Sequence, residues 1–447
     1  MARGKKKETL TPEERLQAAL VPESEQPYKV PGNWTWVKVG DLCTFIGGGT
    51  PDKTNPLYWN GNISWASVKD IKGSYLYSTI DKISQLGLES SSSNLCEAGD
   101  LLLVTRIEPA KTIVSKIVTA INQDLKIVKS ELSSLFLYHY FCAFQHEFEK
   151  KASGSTVKGI TLPNIQNTPF PLPPLPEQQR IVNRIESLFA KLDEAKQKAQ
   201  DALDSFEPRK AAILHSAFTG ELTARWRKER GIGMDSWERL KLGEIGTLER
   251  GRSQHRPRND PRLFGGPYPF IQTGDVASAN VYITEHHQTL SEFGMEQSRM
   301  FSAETLCITI AANIGDVAIL SYDCCFPDSV VGFIPNNRSI SKFVYYMMSV
   351  LQKELEDNAP ATAQKNINLK ILNAVEMNIP PVIEQAEIVR RLDNLLAKEQ
   401  QAKENAEKVL EQIDLIKKAI LARAFRGELG TNDPSEESAV ELLKQVL

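Results

Sequence analysis

Two short motifs near the start of the chain carry the residue types of methyl transfer. Phe45-Ile46-Gly47-Gly48-Gly49 fits the F-x-G-x-G pattern with which methyltransferases bind S-adenosylmethionine. Asn55-Pro56-Leu57-Tyr58 lies one residue from the N-P-P-Y motif that holds a target adenine. In a Rossmann-like methyltransferase these loops sit at the ends of different parallel strands, whose connection takes about a dozen residues or more. Five residues separate Gly49 from Asn55, so the two motifs cannot work together in that fold. The second proline is missing, and neither half of the chain shows the long alternation of strands and helices such an enzyme needs. The match is read as a coincidence of turn residues.

Other catalytic patterns are as weak. His139, Cys142 and His146 fall at i, i+3 and i+7, a possible metal face on a helix, but Phe141, Phe144 and Phe148 beside them point to a packed helix instead. No G-x-x-x-x-G-K-[ST] loop is present, and no paired catalytic carboxylates stand out. The expectation is no catalytic residue, no metal and no cofactor.

Binding chemistry is easier to find. "ERGRSQHRPRNDPR" (249–262) gathers Arg250, Arg252, Gln254, Arg256 and Arg258 in a turn-rich stretch. Arginine pairs bidentately with guanine and glutamine with adenine, and the same side chains hold phosphates. At the matching place earlier in the chain, "GGGTPDKTNP" (47–56) offers Lys53. Lys69, Arg106, Lys158 and Lys365 are further candidates for DNA contact, whereas Tyr58, Trp59 and Trp65 read as packing residues.

Composition sets the bounds. With 447 residues, 41% hydrophobic and 24% charged, the chain reads as an ordinary globular protein of two or three domains. A net charge of −3 excludes a uniformly basic nucleic-acid binder but leaves room for a local basic face, because fields act over a Debye length of about 8–10 Å. Six scattered cysteines without a C-x-x-C pair imply buried, reduced thiols. No apolar run approaches the roughly 20 residues of a membrane span, and the basic N-terminus lacks a secretory apolar segment, so a cytoplasmic location is expected.

The elements that must position these residues come in two copies. "LPPLPEQQRIVNRIESLFAK" (172–191) recurs as "IPPVIEQAEIVRRLDNLLAK" (379–398), and "KAAILHSAFTGEL" (210–222) as "KKAILARAFRGEL" (417–429), at a constant offset of 207. Upstream, "WTWVKVGDL" (34–42) parallels "WERLKLGEI" (237–245) more loosely. In the first well-matched segment, Ile181, Leu188, Ala195 and Ala202 form one heptad series and Ile185, Leu192, Ala199 and Phe206 the other. In the second, Ile388, Leu395, Ala402 and Val409 pair with Leu392, Ala406 and Ile413, leaving Glu399 as a misfit. This period predicts two long coiled-coil helices, most simply antiparallel, with Pro208 interrupting the first and Gly220 and Gly427 as C-terminal stops. The variable units mix short β-like runs such as "DLLLVTRI" (100–107) and "TLCITI" (305–310) with one helix each, at 131–151 and 339–357. The fold class is therefore α+β: two tandem variable domains with curled sheets, separated by paired helices.

The doubled Pro-Pro-x-x-Glu-Gln segment, "GGTPDKTNPLYWNGNISWASVKDI" and "AFTGEL"/"AFRGEL" closely resemble the specificity subunit of type I restriction–modification systems, from about residue 30 to 430. Ile383 and Ala386 replace Pro176 and Gln179 in the second copy. The resemblance implies a layout of 1–31 as an N-terminal extension, 32–171 and 233–378 as target-recognition domains, 172–232 and 379–430 as helical spacers, and 431–447 as a tail. It implies that the two domains read the halves of a bipartite, asymmetric site in double-stranded DNA. The helices then act as a ruler between the halves. Two methylation subunits, which bind S-adenosylmethionine, and restriction or translocase subunits are the implied partners and carry the catalysis. Phe218, Glu221, Phe425 and Glu428 are the expected docking residues. The extension looks polar and loosely structured. A DNA-binding regulator acting alone, an autonomous adenine methyltransferase and a coiled-coil adaptor are the alternatives.

Overall fold

A computed structural model of the chain describes residues 11–154, 157–311, 314–357 and 367–447, without the side chains of 353–357. The chain divides into two compact units, residues 1–199 with 408–447 and residues 200–407.

The strands of the first unit are β1 (Thr35–Lys38), β2 (Thr44–Gly47), β3 (Trp59–Ala66), β4 (Tyr75–Leu76), β5 (Asp81–Ile83) and β6 (Leu95–Cys96). They continue with β7 (Leu101–Val104), β8 (Thr112–Ser115), β9 (Thr119–Ile121), β10 (Leu125–Lys129) and β11 (Pro169–Leu172). A five-stranded sheet has the order β2-β10-β7-β8-β4, a four-stranded sheet the order β5-β3-β9-β6, and β1 pairs with β11. Successive side chains of a strand point to opposite faces. Leu101 and Leu103 therefore join a core with Phe136 and Tyr140 of the Ser134–Lys150 helix, while Leu102 and Val104 join a second core with Ile113 and Ile127. Burial on both faces is why β7 reads as an unbroken apolar run rather than an alternating one.

The second unit repeats this order. Its strands are β12 (Glu238–Lys241), β13 (Gly246–Arg250), β14 (Phe264–Phe270), β15 (Tyr282–Ile283), β16 (Gln288–Leu290) and β17 (Met300–Phe301). After them come β18 (Leu306–Thr309), β19 (Val317–Leu320), β20 (Cys324–Cys325), β21 (Val330–Pro335) and β22 (Glu376–Ile379). The sheets are β13-β21-β18-β19-β15, β16-β14-β20-β17 and β12-β22, strand for strand the arrangement of the first unit.

The first long helix spans Leu175–Asp204 (30 residues) and is followed, across Ser205, by a helix over Phe206–Phe218. The interruption falls three residues before Pro208, because a proline ring clashes with the carbonyl one turn earlier. Gly220 and Gly427 take φ of +80° and +74° just past the helix ends, the left-handed stop that glycine suits. The second long helix, Val382–Ala424, runs 43 residues without a break. All eight heptad positions named in the first helical segment are buried or half-buried.

The second seam drifts. Ala402 and Val409 are exposed, and the buried line passes instead through Lys403, Ala406, Leu410, Ile413 and Lys417. A straight helix slips about 20° per heptad against a strict 3.5 repeat, so the slip accumulated over the heptads from Ile388 to Lys417 approaches the roughly 100° of one position. Glu399 is no misfit, since it pairs with Arg209 at 2.8 Å. Lys403 lies over the Phe206 ring and Lys417 over Phe189, covering the seam with their stems. Antiparallel pairing holds within each unit: Arg209–Glu399 and Phe206–Lys403 in the second, Asp193–Lys417 at 2.5 Å in the first.

Residues 11–31 are more ordered than expected. Thr11 and Glu14 form a capping box for the helix Pro12–Ala19. Leu16 and Leu20 pack on the first unit's core, Val21 donates its N–H to the Trp36 carbonyl (2.9 Å), and the Tyr28 hydroxyl donates to the Phe425 carbonyl (3.0 Å). Ala439 and Leu443 of the C-terminal helix Ala439–Val446 are buried in the same core.

Candidate nucleic-acid interface

Residues 45–58 make a scaffold rather than a cofactor site. A Cβ on Gly48 would come within 2.3 Å of the carbonyl oxygens of Ile121 and Asn122, so the backbone here lies flat on the turn after β9. The Gly49 carbonyl accepts from Trp65 Nε1 (3.1 Å) and Ser93 Oγ (2.7 Å). Gly251 makes the same close approach in the second unit, where an added Cβ would come within 2.3 Å of the Pro327 carbonyl oxygen. Asn55 caps the following turn through the Leu57 N–H (3.1 Å), and Asp260 caps its counterpart through the Arg262 N–H (3.0 Å). What looked like an adenine-holding motif is a capped turn used twice.

These turns lead into a cleft of ≈ 450 Å³ in the first unit and one of ≈ 490 Å³ in the second. Their walls correspond. Trp59, Trp65 and Ser67 line the first at the places where Phe264, Phe270 and Gln272 line the second. The turn 122–124 closes one side of the first cleft, and Pro327 and Ser329 hold that position in the second. Trp65 is 5% exposed and meets Trp59 edge to face at 5.2 Å, which supports the packing reading of both rings.

The charged linings differ. Lys53 and Lys69 face the first cleft together with Asp81 and Asp124. Arg106 stands beside it, ion-paired to Asp124 at 3.2 Å, and the backbone carbonyl of exposed Lys158 accepts from Ile107. Arg252, His255 and Arg258 line the second. Arg258 is paired with Asp328 at 3.0 Å, while Arg262 and His255 hold Asp260, whose carboxyl they keep well below the usual range. Arg250, Arg252 and Arg256 bond neutral acceptors: the Asp328 carbonyl, Gln254 Oε1 (2.6 Å), and the Ser253 and His255 carbonyls (2.8 Å). All three are exposed, as is Gln254, and among the described residues none of the three is ion-paired to a carboxylate. Lys365 lies outside the described residues. Sequence reasoning missed Thr50, Ile107, Asn122 and Gln123 in the first cleft and Gln272, Gln288 and Gln297 in the second. Isolated residues scattered along the sequence carry no local signal that they converge.

The expected docking residues separate into two kinds. Glu221 and Glu428 are exposed. Phe218 is half-buried against Phe343 (5.7 Å between ring centres). Phe425 is 0% exposed, enclosed by Phe136, Tyr140 and Phe144, so it packs the core and offers no surface to a partner. The supposed metal face is likewise dispersed. His139 bonds Glu186 at 2.8 Å, Cys142 sits by Thr112, and His146 is exposed beside Glu149. The cysteines are free thiols, five buried and Cys142 partly so.

Fold and clefts together define a duplicated α+β protein with one cleft of polar and charged lining per copy and with long paired helices. The sequence model of the type I restriction modification DNA specificity domain matches residues 31–203 and 234–412, and the chain belongs to that family. Among its relatives, the type I restriction enzyme EcoBI specificity subunit of Escherichia coli is 24% identical over 355 residues, covering 72% of this chain and 73% of that protein. The EcoKI specificity subunit of Escherichia coli strain K12 is 22% identical, covering 68% of each. The crystal structure of the HsdS subunit from Thermoanaerobacter tengcongensis shares the fold, with a TM-score of 0.67 at 21% identity over 91% of this chain and 100% of that one. A chain from a structural study of complex assembly and conformational transition of the type I R-M system matches with a TM-score of 0.65 at 21% identity, over 90% and 100%. Among the described residues, no helix is long and apolar enough to cross a membrane.

Proposed function

We propose that this chain is the DNA-reading subunit of a type I restriction–modification complex, each cleft reading one half of a bipartite, asymmetric site. The observation that carries this reading is the recurrence of the cleft. The same strands build it in both units, and what changes between copies is the hydrogen-bonding and charged lining. A tandem repeat with a common frame and different linings is what two different half-sites require. Arginine and lysine at the rims supply sequence-independent phosphate contacts, and the amides and arginines within reach supply base contacts. Catalysis belongs to partners: methylation subunits that use S-adenosylmethionine on adenine, and restriction or translocase subunits. The exposed faces of the long helices, with Glu221 and Glu428, dock them. The helices also set the gap between half-sites, so removing one heptad from both should change the gap and leave the half-sites unaltered. An unchanged gap in the trimmed variant sinks that role.

The test of the whole reading is methylation mapping. The chain is expressed with its cognate methylation subunit in a host without adenine methylation, beside a control with the partner alone. N6-methyladenine confined to one split motif, and absent from the control, is the expected result. Identical modification in the control would show that the partner reads DNA by itself and would overturn the assignment.

A further inference from the structure

The hairpin tip between β7 and β8 is held in a conformation that its residue disfavours. Ile107 has φ of +77°, in the left-handed region, where a β-branched side chain crowds its own backbone. Its surroundings enforce this. The Thr105 N–H donates to the Asp124 carbonyl (2.8 Å), and the Thr105 carbonyl accepts from the Ile160 N–H (2.9 Å). Arg106 bridges to Gly159, and the Ile107 N–H donates to the Lys158 carbonyl (2.8 Å).

The strain does not serve burial. Ile107 is 55% exposed and lies at the mouth of the first cleft. Glycine or asparagine would take this backbone at lower cost, so an isoleucine here loses stability without gaining a core contact. Strained residues that their surroundings over-determine cluster at ligand clamps. On the same cleft wall Gln123 is exposed, whereas the buried Asn122 amide is held by Asp124, which also fixes Arg106. An aliphatic group beside the exposed Gln123 amide complements one base pair in particular. In the major groove an A·T pair presents the adenine N6/N7 edge, which amides bind, and the thymine C5-methyl, which apolar side chains touch.

We propose that Ile107 is a specificity-determining residue of the first unit, in apolar contact with a thymine methyl of the half-site that this cleft reads. The proposal rests on the DNA-reading role above, and its test separates the two. With the split motif in hand, each dT of the half-site is replaced in turn by deoxyuridine, which removes the methyl and keeps the pairing edge. These duplexes are titrated against the chain assembled with its methylation subunits. One position should weaken binding by about three- to fivefold, the value of one buried methyl. In Ile107→Asn that position should become indifferent, while the unmodified duplex binds about three- to tenfold more weakly and Tm stays level or rises. A flat deoxyuridine scan with the wild-type complex on its own motif would overturn the methyl contact and leave the DNA-reading role standing. Unchanged sensitivity in Ile107→Asn would equally overturn it. If Ile107→Asn fails to fold, Ile107→Gly replaces it and the wild-type scan still decides. A wild-type complex with no sequence preference would overturn both ideas.

Discussion

The two units share a frame and differ in how they satisfy the same buried charge. At the start of each long helix a glutamate is fully buried, Glu177 in one unit and Glu384 in the other. Each accepts from a tryptophan at the start of its unit, Trp34 at 2.7 Å and Trp237 at 3.0 Å. Beyond that they diverge. Glu384 binds the Arg227 guanidinium (2.6 Å), itself 7% exposed, and the Thr223 hydroxyl (2.6 Å). Glu177 accepts instead from neutral donors, Asn432 Nδ2 at 2.8 Å and the Thr431 hydroxyl at 3.3 Å, while nearby Arg180 makes its ion pair with Glu436. The same scaffold point is an ion pair in one copy and a hydrogen-bonded carboxylate in the other. Duplicated frames therefore conserve the position of a buried charge more strictly than the chemistry that compensates it.

The largest expected effect follows from that difference. Arg227→Ala leaves Glu384 buried without its counter-charge and should cost about 3–5 kcal/mol. Asn432→Ala, at the corresponding point of the first unit, removes one neutral donor among three and should cost about 1–2 kcal/mol. Urea denaturation of each variant measures both, and equal losses would break the contrast.

Phe425 and Phe218 sharpen it next. They occupy equivalent places in the repeat, yet Phe425 is enclosed and Phe218 half-buried. Phe425→Ala should lower stability by about 3–5 kcal/mol and Phe218→Ala by about 1–2, read from the same denaturation curves. A Phe425→Ala chain that keeps its stability but loses its partner in a pull-down would return that residue to a docking role.

The third difference is where each domain helix meets the long helix. Tyr346 donates to Asp393 (2.6 Å) in the second unit, and His139 faces Glu186 (2.8 Å) at the matching place in the first. Burial pushes the His139 ring down to about 4 from 6.5, so it is neutral in the folded protein, donating from Nε2 with Nδ1 unpartnered. The unfolded chain takes up that proton below pH 6.5 and the folded one refuses it until about pH 4, so stability should fall as pH drops through this window. The loss amounts to roughly 3 kcal/mol at most, at about 1.4 kcal/mol per pH unit. Glu186, raised by burial and by Asp193, works in the opposite sense and makes the slope shallower. His139→Tyr, which copies the second unit, should abolish the acid-side loss. Melting curves between pH 4.5 and 7.5 check it, and an unchanged slope in the variant would refute the histidine as its source.

Much of the architecture was legible in the amino-acid order because it rests on local periodicity. A 207-residue repeat, a heptad and two-face apolar strand runs are properties of neighbours in sequence, and each survives translation into helices and sheets. Where the heptad reading strayed, at Ala402 and Val409, the cause was also geometric, the accumulated slip of a 3.6-residue helix. The basic turn at 249–262 was visible for the same reason, being five arginines close together.

What tertiary structure alone decided is which distant residues meet. Sequence order cannot announce that residues 408–447 complete the first unit, that residues 11–31 fold onto it, or that Phe425 lies inside its core. Nor can it show that Ile107, Asn122 and Lys53 line one cleft, or that the backbone around Ile107 is pinned at φ +77° by Asp124, Lys158, Gly159 and Ile160, far along the chain. Periodicity encodes which face of an element is apolar. The partner of that face, and the convergence of side chains in a cleft, come from packing the whole chain at once.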